Sequence, residues 1–355
     1  MTDWNDIARL QRLGKPLHDV DLGDLDGRGR TIEGLVLSKV RWNNARLDGA
    51  TLKRVTFIDC DLQGACFDGA TLDGCSLTKT RLARSSWTGS QVAQSAFTEC
   101  DLQTSAWTQA QWSISVATRC DVRASQWTSA ILHRSVFAEG RMDHAVLRNT
   151  VLDQSVLPDV DFRSLDIVGL QAHTSVLKQA RFDGKDLRSV TLERCLLEQA
   201  SFVGCDLRGT VLRESNLRQA HVRQSNLDGA DLSRALLLEA VLKDVDAHDL
   251  RATNAVLQGA RLDDVRLDRA VLSSSNWDHS QLHDVSFAAA QLDYARFEHA
   301  RGSRIDFDHS RFRHGNLHDA RFAQATFEQA DCAGLRGTSS ERLAAESRSL
   351  SLEMH

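Results

Sequence analysis

His279, His299 and Asp319 recur at intervals of twenty residues, and Asp278, Glu298 and His318 keep the same interval one place earlier. If the fold stacks positions twenty apart, two imidazoles and a carboxylate at β spacing make a ligand set for a divalent metal. The plainer chemistry of such a group is a solvated polar patch, and that is the reading adopted, so no metal site is assigned. The other histidines form no paired motif and stand beside no nucleophile, and the chain has neither a phosphate-binding loop nor a Cys-x-x-Cys. No catalytic residue and no cofactor is expected, and the chain reads as a non-enzyme.

The elements that must carry these residues are announced by a period of five. From Ile32 to Cys332, 61 positions lie five apart, and 60 of them are apolar or alanine; only Gly302 departs. Two residues before each of these centres sits a small residue, the corner: 54 of the 59 corners from Val40 to Ala330 are Ala, Ser, Cys, Thr, Val or Gly. The exceptions are Leu165, Leu170, Lys185, Leu250 and Ile305. Five matches neither the 3.6-residue period of a helix nor the 2-residue period of a strand, so the chain is a repeat architecture. Two residues in five face inward and three face outward.

Ala230-Asp231-Leu232, Cys205-Asp206-Leu207, Cys60-Asp61-Leu62 and Ser225-Asn226-Leu227 carry the motif A(D/N)LXX, and the chain resembles the pentapeptide-repeat family over residues 32 to 332. The resemblance implies an all-β fold, a right-handed quadrilateral β-helix with four pentapeptides per coil. One departure from the motif is frequent: only about a quarter of the repeats have Asp or Asn before the centre. Three segments follow: a helical cap with an imperfect first coil (1–31), the β-helix (32–332) and a helical cap or tail (333–355). Roughly fifteen coils at the β spacing give a rod about 70 Å long, each coil needing a neighbour above and below. Nothing interrupts the frame, so no side loop is expected.

Stacking by twenty also makes a map of the interior and the surface. Trp87, Trp107 and Trp127 share one inner face, with Trp112 on the next, and Ala117 and Val122 are the small centres that offset them. Ala172 and Ala252 follow the large corners Leu170 and Leu250, so volume is exchanged locally. Lys185 at an inward corner places an ammonium where burial is costly, and it is expected to escape through a local bulge. Six cysteines (Cys60, Cys75, Cys100, Cys120, Cys195, Cys205) are corners and read as reduced, buried thiols. At the ends, residues 3 to 13 read as an amphipathic helix capped by Thr2 or Asp3, with Trp4, Ile7, Leu10 and Leu13 to cover the first coil. Thr338 and Glu341 fit a capping box for a helix from about Ser339 to Ser349, whose Leu343 and Leu350 would cover the last coil or a second subunit. The last five residues are expected to fray.

On the outside, the positions before the centre on one face read Ala96, Val116, Val136, Val156, Val176, Leu196, Asn216, Leu236 and Val256, and the next face adds Ile131, Val151, Val211 and Val271. Val116, Val136, Val156, Val176, Leu196, Leu236 and Val256 are the candidate partner-binding residues, since a long apolar stripe facing water marks an interface. The partner is another protein or a second copy in a homodimer. The plainer alternative is that β-branched residues suit a flat β surface.

Charge bears on function. Residues 32–182 carry 16 Lys or Arg against 15 Asp or Glu, and residues 183–332 carry 19 against 24. Some members of the family mimic duplex DNA and act on DNA gyrase or topoisomerase IV, which needs a dense negative surface. That role is the alternative reading; near-balanced charge and the absence of loops weigh against it. No direct nucleic-acid binding is expected. No run of 18 apolar residues spans a membrane, and no secretory signal opens the chain, so a cytoplasmic protein is expected. The chain is similar to long, loop-free members that accompany type VI secretion cassettes. The function expected is a bacterial interaction scaffold or adaptor, with type VI secretion effector loading as the narrower role that this similarity implies.

Overall fold

The protein is described by a computed structural model over residues 3–352. Thr2, the side chain of Leu350 and the end of the chain, where fraying was expected, lie outside the described residues. Two compact units, Met1–Leu177 and Lys178–His355, divide the chain, and each is a parallel β-solenoid.

In the first unit, three-residue strands stack on two faces with a register of twenty. Thr51–Lys53 pairs with Thr71–Asp73 so that Leu52 faces Leu72, and Val116–Thr118 pairs with Val136–Ala138 so that Ala117 faces Phe137. The remaining faces are tight turns. Asn44, for example, takes φ 54° while the Ala45 N–H donates to the Trp42 carbonyl at 3.1 Å, as a type II turn requires. In the second unit the strands lengthen from His221 on to six residues, among them Val241–Asp246 and Arg261–Arg266, and pair centre and corner together: Leu242 with Leu262, Val245 with Val265.

The Asp or Asn of the motif has a local job. Its side chain accepts the N–H two residues on, as Asp206 does from Arg208 at 3.2 Å and Asn226 from Asp228 at 2.8 Å. This satisfies a turn amide without a strand partner. Where a face is β-strand, that amide is already in the ladder, and the position is free to be Thr, Val or Gln.

The interior follows the centre-and-corner pattern. Trp87, Trp107 and Trp127 stack 4.5 and 4.8 Å apart, extended by Phe67 at 3.9 Å. A second column, Phe97, Trp112 and Phe137, packs beside it. The corner serines add what size alone does not reveal. Ser85, Ser105 and Ser125 each accept the indole N–H of the tryptophan two residues on at 2.7 Å, and each donates to a turn carbonyl at 2.6 Å. Trp277 and Ser275 repeat the arrangement. Trp112 follows Ala110 instead, and its Nε1 is buried without a partner. Replacing Ser105 with Ala should therefore destabilise the first unit by about 1–3 kcal/mol, the cost of orphaning a buried indole N–H. Ala110→Ser should gain about 1 kcal/mol by supplying one. Chemical denaturation of the two variants measures both, and a destabilised Ala110→Ser protein would refute the pairing. Other corner hydroxyls bind along the stack: Ser95, Ser115, Ser155 and Ser175 accept the corner N–H one coil earlier, at 3.0–3.1 Å.

Gly302, the one failed centre, is explained by the large corner Ile305. A Cβ at 302 would lie 2.4 Å from the Leu282 carbonyl oxygen and 2.8 Å from Ile305 Cδ1. Lys185 differs from expectation. Its side chain is half-buried, so it does leave the interior, but there is no bulge: its N–H closes the usual turn to Phe182 O at 3.0 Å, and its carbonyl accepts from Asp206 at 2.9 Å. A four-carbon stem is long enough to carry the ammonium outward from a regular corner.

The helices sit at the ends. α1 (Trp4–Arg12) is capped by Asp3, whose carboxylate takes the N–H groups of Asn5 and Asp6. Ile7 is buried, and Trp4 donates to the Asp26 carbonyl at 2.8 Å over the small centre Gly27, while Leu13, expected to cover the first coil, is 57% exposed. The imperfect first coil does begin at Leu17, which pairs with Leu37. α2 (Ser340–Leu352) starts differently from the predicted capping box. Ser339, rather than Thr338, accepts the Arg342 N–H at 3.3 Å, and Thr338 Oγ1 instead accepts the Asp319 N–H at 3.1 Å. No described helix is long and apolar enough to cross a membrane.

Candidate functional site

The histidine–carboxylate group lies wholly in the second unit, on turns whose left-handed residues are His279, His299 and Asp319. Stacking aligns them: the His279 N–H donates to the Glu298 carbonyl at 2.8 Å and the His299 N–H to His318 at 2.9 Å. The solvated patch expected from the sequence is instead a largely buried network. Asp278, Glu298, Asn316, His318 and Asp319 are all buried.

α2 is the reason. Arg342 donates to Glu298 at 2.5 Å and to Glu346 at 2.9 Å, and Glu298 also accepts from Asn316 at 2.6 Å. The His318 ring is held from both sides. Its Nδ1 faces the Ser339 N–H at 3.2 Å and so must accept; its Nε2 therefore carries the proton and donates to Glu346 Oε2 at 3.2 Å.

This geometry decides against a metal. His299, His318 and Glu346 bring ligand atoms within 4.8 Å of one another. Yet a ligating histidine normally donates its second N–H to an oxygen, whereas His318 accepts there and has its proton on the nitrogen a metal would need. The sequence trio fares no better. His279 stacks on His299 at 4.9 Å rather than converging with it, and Asp319 is occupied by His299 at 3.2 Å, Arg301 at 2.7 Å and Arg321 at 3.2 Å. The group is a clamp for α2. Sequence reasoning missed Arg342 and Glu346, though their i,i+4 spacing on the predicted helix was a usable signal.

The Arg301 guanidinium holds Asp319 well below the usual carboxylate range, and Arg342 holds Glu298 down. At Glu346, burial pushes upward, but hydrogen bonds from His318 and Arg342 outweigh it and the net shift is downward. Asp278 is raised by burial. Depressed carboxylates contribute stability that is complete above their unfolded values, near 4.5 for Glu and 3.8 for Asp, and that is lost as pH falls through the folded values. Asp278 acts in the opposite sense, alone against three. α2 should thus release in acid before the coils unfold. Hydrogen exchange over residues 339–346, corrected for intrinsic rate, should lose protection between pH 5 and 3, roughly; protection unchanged across that range would exclude the clamp.

The candidate partner-binding residues fall into register within each unit. In the first, Val116 pairs with Val136, Val136 with Val156 and Val156 with Val176; in the second, Leu196 pairs with Asn216, Asn216 with Leu236 and Leu236 with Val256. Val116 is 37% and Leu236 39% exposed, and the others are half-buried. Ile131 on the next face is 43% exposed; Ile114, which sequence reasoning did not single out, is 49% exposed, two residues before Val116, and donates its N–H to the His133 carbonyl at 3.0 Å.

Charges pair along the stack. Arg81 meets Asp61 at 2.7 Å, Arg141 meets Asp121 at 2.5 Å and Arg251 meets Asp231 at 2.6 Å, each a coil apart. All eight cysteines are free thiols. Burial and a hydrogen bond to Asp48 push the Cys66 thiol up to about 12.

Comparison with known proteins agrees with this architecture. Family models described as "Pentapeptide repeat region" and "Pentapeptide repeats (8 copies)" match residues 50–127 and six overlapping stretches between 192 and 329. The chain belongs to the pentapeptide-repeat family. Among solved structures it is similar to a trypsin-treated QnrB1 variant, a plasmid-mediated fluoroquinolone resistance protein, at 17% identity over 55% of this chain and 95% of that one, TM-score 0.40. It is also similar to HetL, a pentapeptide repeat protein involved in heterocyst differentiation regulation from the cyanobacterium Nostoc, at 24% identity over 62% and 88%, TM-score 0.29. Likenesses this distant carry no argument about the chain. No curated protein matches the chain.

Proposed function

We propose that this chain is a non-enzymatic protein–protein interaction scaffold of a bacterial cytoplasm, and that the apolar columns are where it meets a protein partner. One observation carries the reading. Ile114 combines a left-handed backbone, φ 52°, with 49% exposure of an apolar, β-branched side chain. Neither folding nor hydration favours isoleucine there; Gly or Asn would suit the turn better. An exposed apolar residue set against both preferences, two residues from Val116, fits a contact surface. The narrower role, adaptor or loading factor for a secreted effector, rests on the resemblance to members that accompany type VI secretion. The alternative, DNA mimicry toward gyrase or topoisomerase IV, has less support, because many of the carboxylates a mimic would display are paired with guanidinium groups, as Asp61, Asp121 and Asp231 are.

Ile114→Asn tests the reading, since fold and function then move in opposite directions. Relief of the left-handed strain should stabilise the first unit by about 1 kcal/mol, while capture of partner proteins from the host, and any self-association, should fall. A gain in stability with association unchanged would leave the exposed column without a role.

A further inference from the structure

The stack of the first unit is interrupted at one place. Bridges run from Asp101 to Asp121 and from Asp121 to Arg141, but none continues from Arg141 to the next coil among the described residues. The Met142 N–H and the Gly140 carbonyl accordingly have no backbone partner there, although Val122 N–H, one coil earlier, donates to Arg141 O at 2.8 Å. Opposite Gly140–Met142 the next coil replaces the regular turn with a 3₁₀ turn, Phe162–Ser164, and this turn follows closely on Pro158. Pro158 has no N–H, and with Asp159 at φ 56° it sets a type II turn opposite the strand Val136–Ala138. Strand and turn stay in register at Val136 and Val156 and then diverge.

The divergence opens a cavity of about 250 Å³ between the coils. Its floor is apolar: Ala117 and Val122, the small centres opposite the tryptophan stack, with Phe137 and Leu157. Met142 lies at its mouth, half-exposed at a centre position. The rim is acidic. Arg141 is taken by Asp121, whereas Glu139, Asp143 and Asp159 are exposed and make no ion pair among the described residues. Cavities of roughly 150 Å³ accept benzene, so this one has room for a bicyclic ring.

We infer that this cleft is a binding site for an aromatic or branched alkyl group bearing an adjacent positive charge. The ring enters between the coils against Phe137 and Met142, and the cation meets the three carboxylates at the mouth. The unpaired Met142 N–H and Gly140 carbonyl are available for a polar atom of the ligand. The same chemistry is offered by a free arylalkyl amine and by an aromatic side chain next to lysine in a peptide. The site does not depend on the apolar columns.

Methyl-labelled methionine makes the test local, because the chain has only three methionines and the other two are Met1 and Met354. The Met142 methyl resonance is followed while tryptamine, indole-3-propionate or N-acetyl-Trp-Lys-amide is added at low salt. The expected result is a saturable Met142 shift with tryptamine or the peptide, about tenfold tighter than with the anionic indole. Tighter binding of the peptide points to a protein source and tighter binding of tryptamine to a free amine. The double variant Glu139→Gln, Asp143→Asn, both exposed and unpaired, should keep the fold and lose the preference for the cation. No Met142 response to any probe at millimolar concentration overturns the inference, as does a cation preference that survives the double variant.

Discussion

Trp107→Ala is expected to cost about 3–5 kcal/mol, the largest single-residue effect in the first unit. The indole is fully buried, stacked between Trp87 at 4.5 Å and Trp127 at 4.8 Å and edge-on to Trp112 at 5.3 Å. Its removal leaves a void that the neighbouring coils cannot fill without breaking their parallel ladders. Because a coil touches only the coils above and below, the loss should be local. Hydrogen exchange should rise first between residues 85 and 130, and chemical denaturation should lose cooperativity. Trp107→Phe should lose much less, since a ring still separates Trp87 from Trp127. A loss below about 1 kcal/mol for the alanine variant would mean that the stack is filler rather than the centre of the unit's stability.

The triple variant Val136→Lys, Val156→Lys, Val176→Lys should abolish association while leaving the fold intact. The three residues pair one above another, point outward and are half-buried, so longer side chains have room. Three ammonium groups in one column repel mildly in water. Buried at a contact they cost several kcal/mol each, more than an ordinary interface returns. Circular dichroism should be unchanged, and light scattering and partner capture should show the loss. If the fold is kept and association persists, the valines serve only β-propensity, and the search moves to the second unit.

Much of the fold was legible because the five-residue period fixes which way each side chain faces. Residues twenty apart did pair and the tryptophans did stack. Gly302 and Ile305 stood out as exceptions, but their compensation was visible only once a Cβ at 302 was seen to collide with Ile305. The function of the corner serines was hidden for a different reason. Size explains a small corner, so nothing in the period asks whether its hydroxyl is needed; the Ser-x-Trp spacing was the available signal. The histidine group was located correctly by register and misread by environment, because burial came from α2, a helix outside the repeat. The cleft at Gly140 was missed since glycine is an acceptable corner. Pro158, which has no N–H, was the available signal in the sequence, and the 3₁₀ turn Phe162–Ser164 that follows it is visible only in the structure.

The ion pairs between coils have a kinetic consequence. Each Asp–Arg pair, such as Asp61 with Arg81, is a short dipole whose field largely cancels within a Debye length, about 8 Å in physiological salt. A partner approaching these columns feels little long-range attraction. Its association rate should sit near the unsteered value, on the order of 10⁵–10⁶ M⁻¹s⁻¹, and change little with ionic strength. For a partner of the kind proposed, selectivity would then lie in how long the complex survives rather than in how fast it forms.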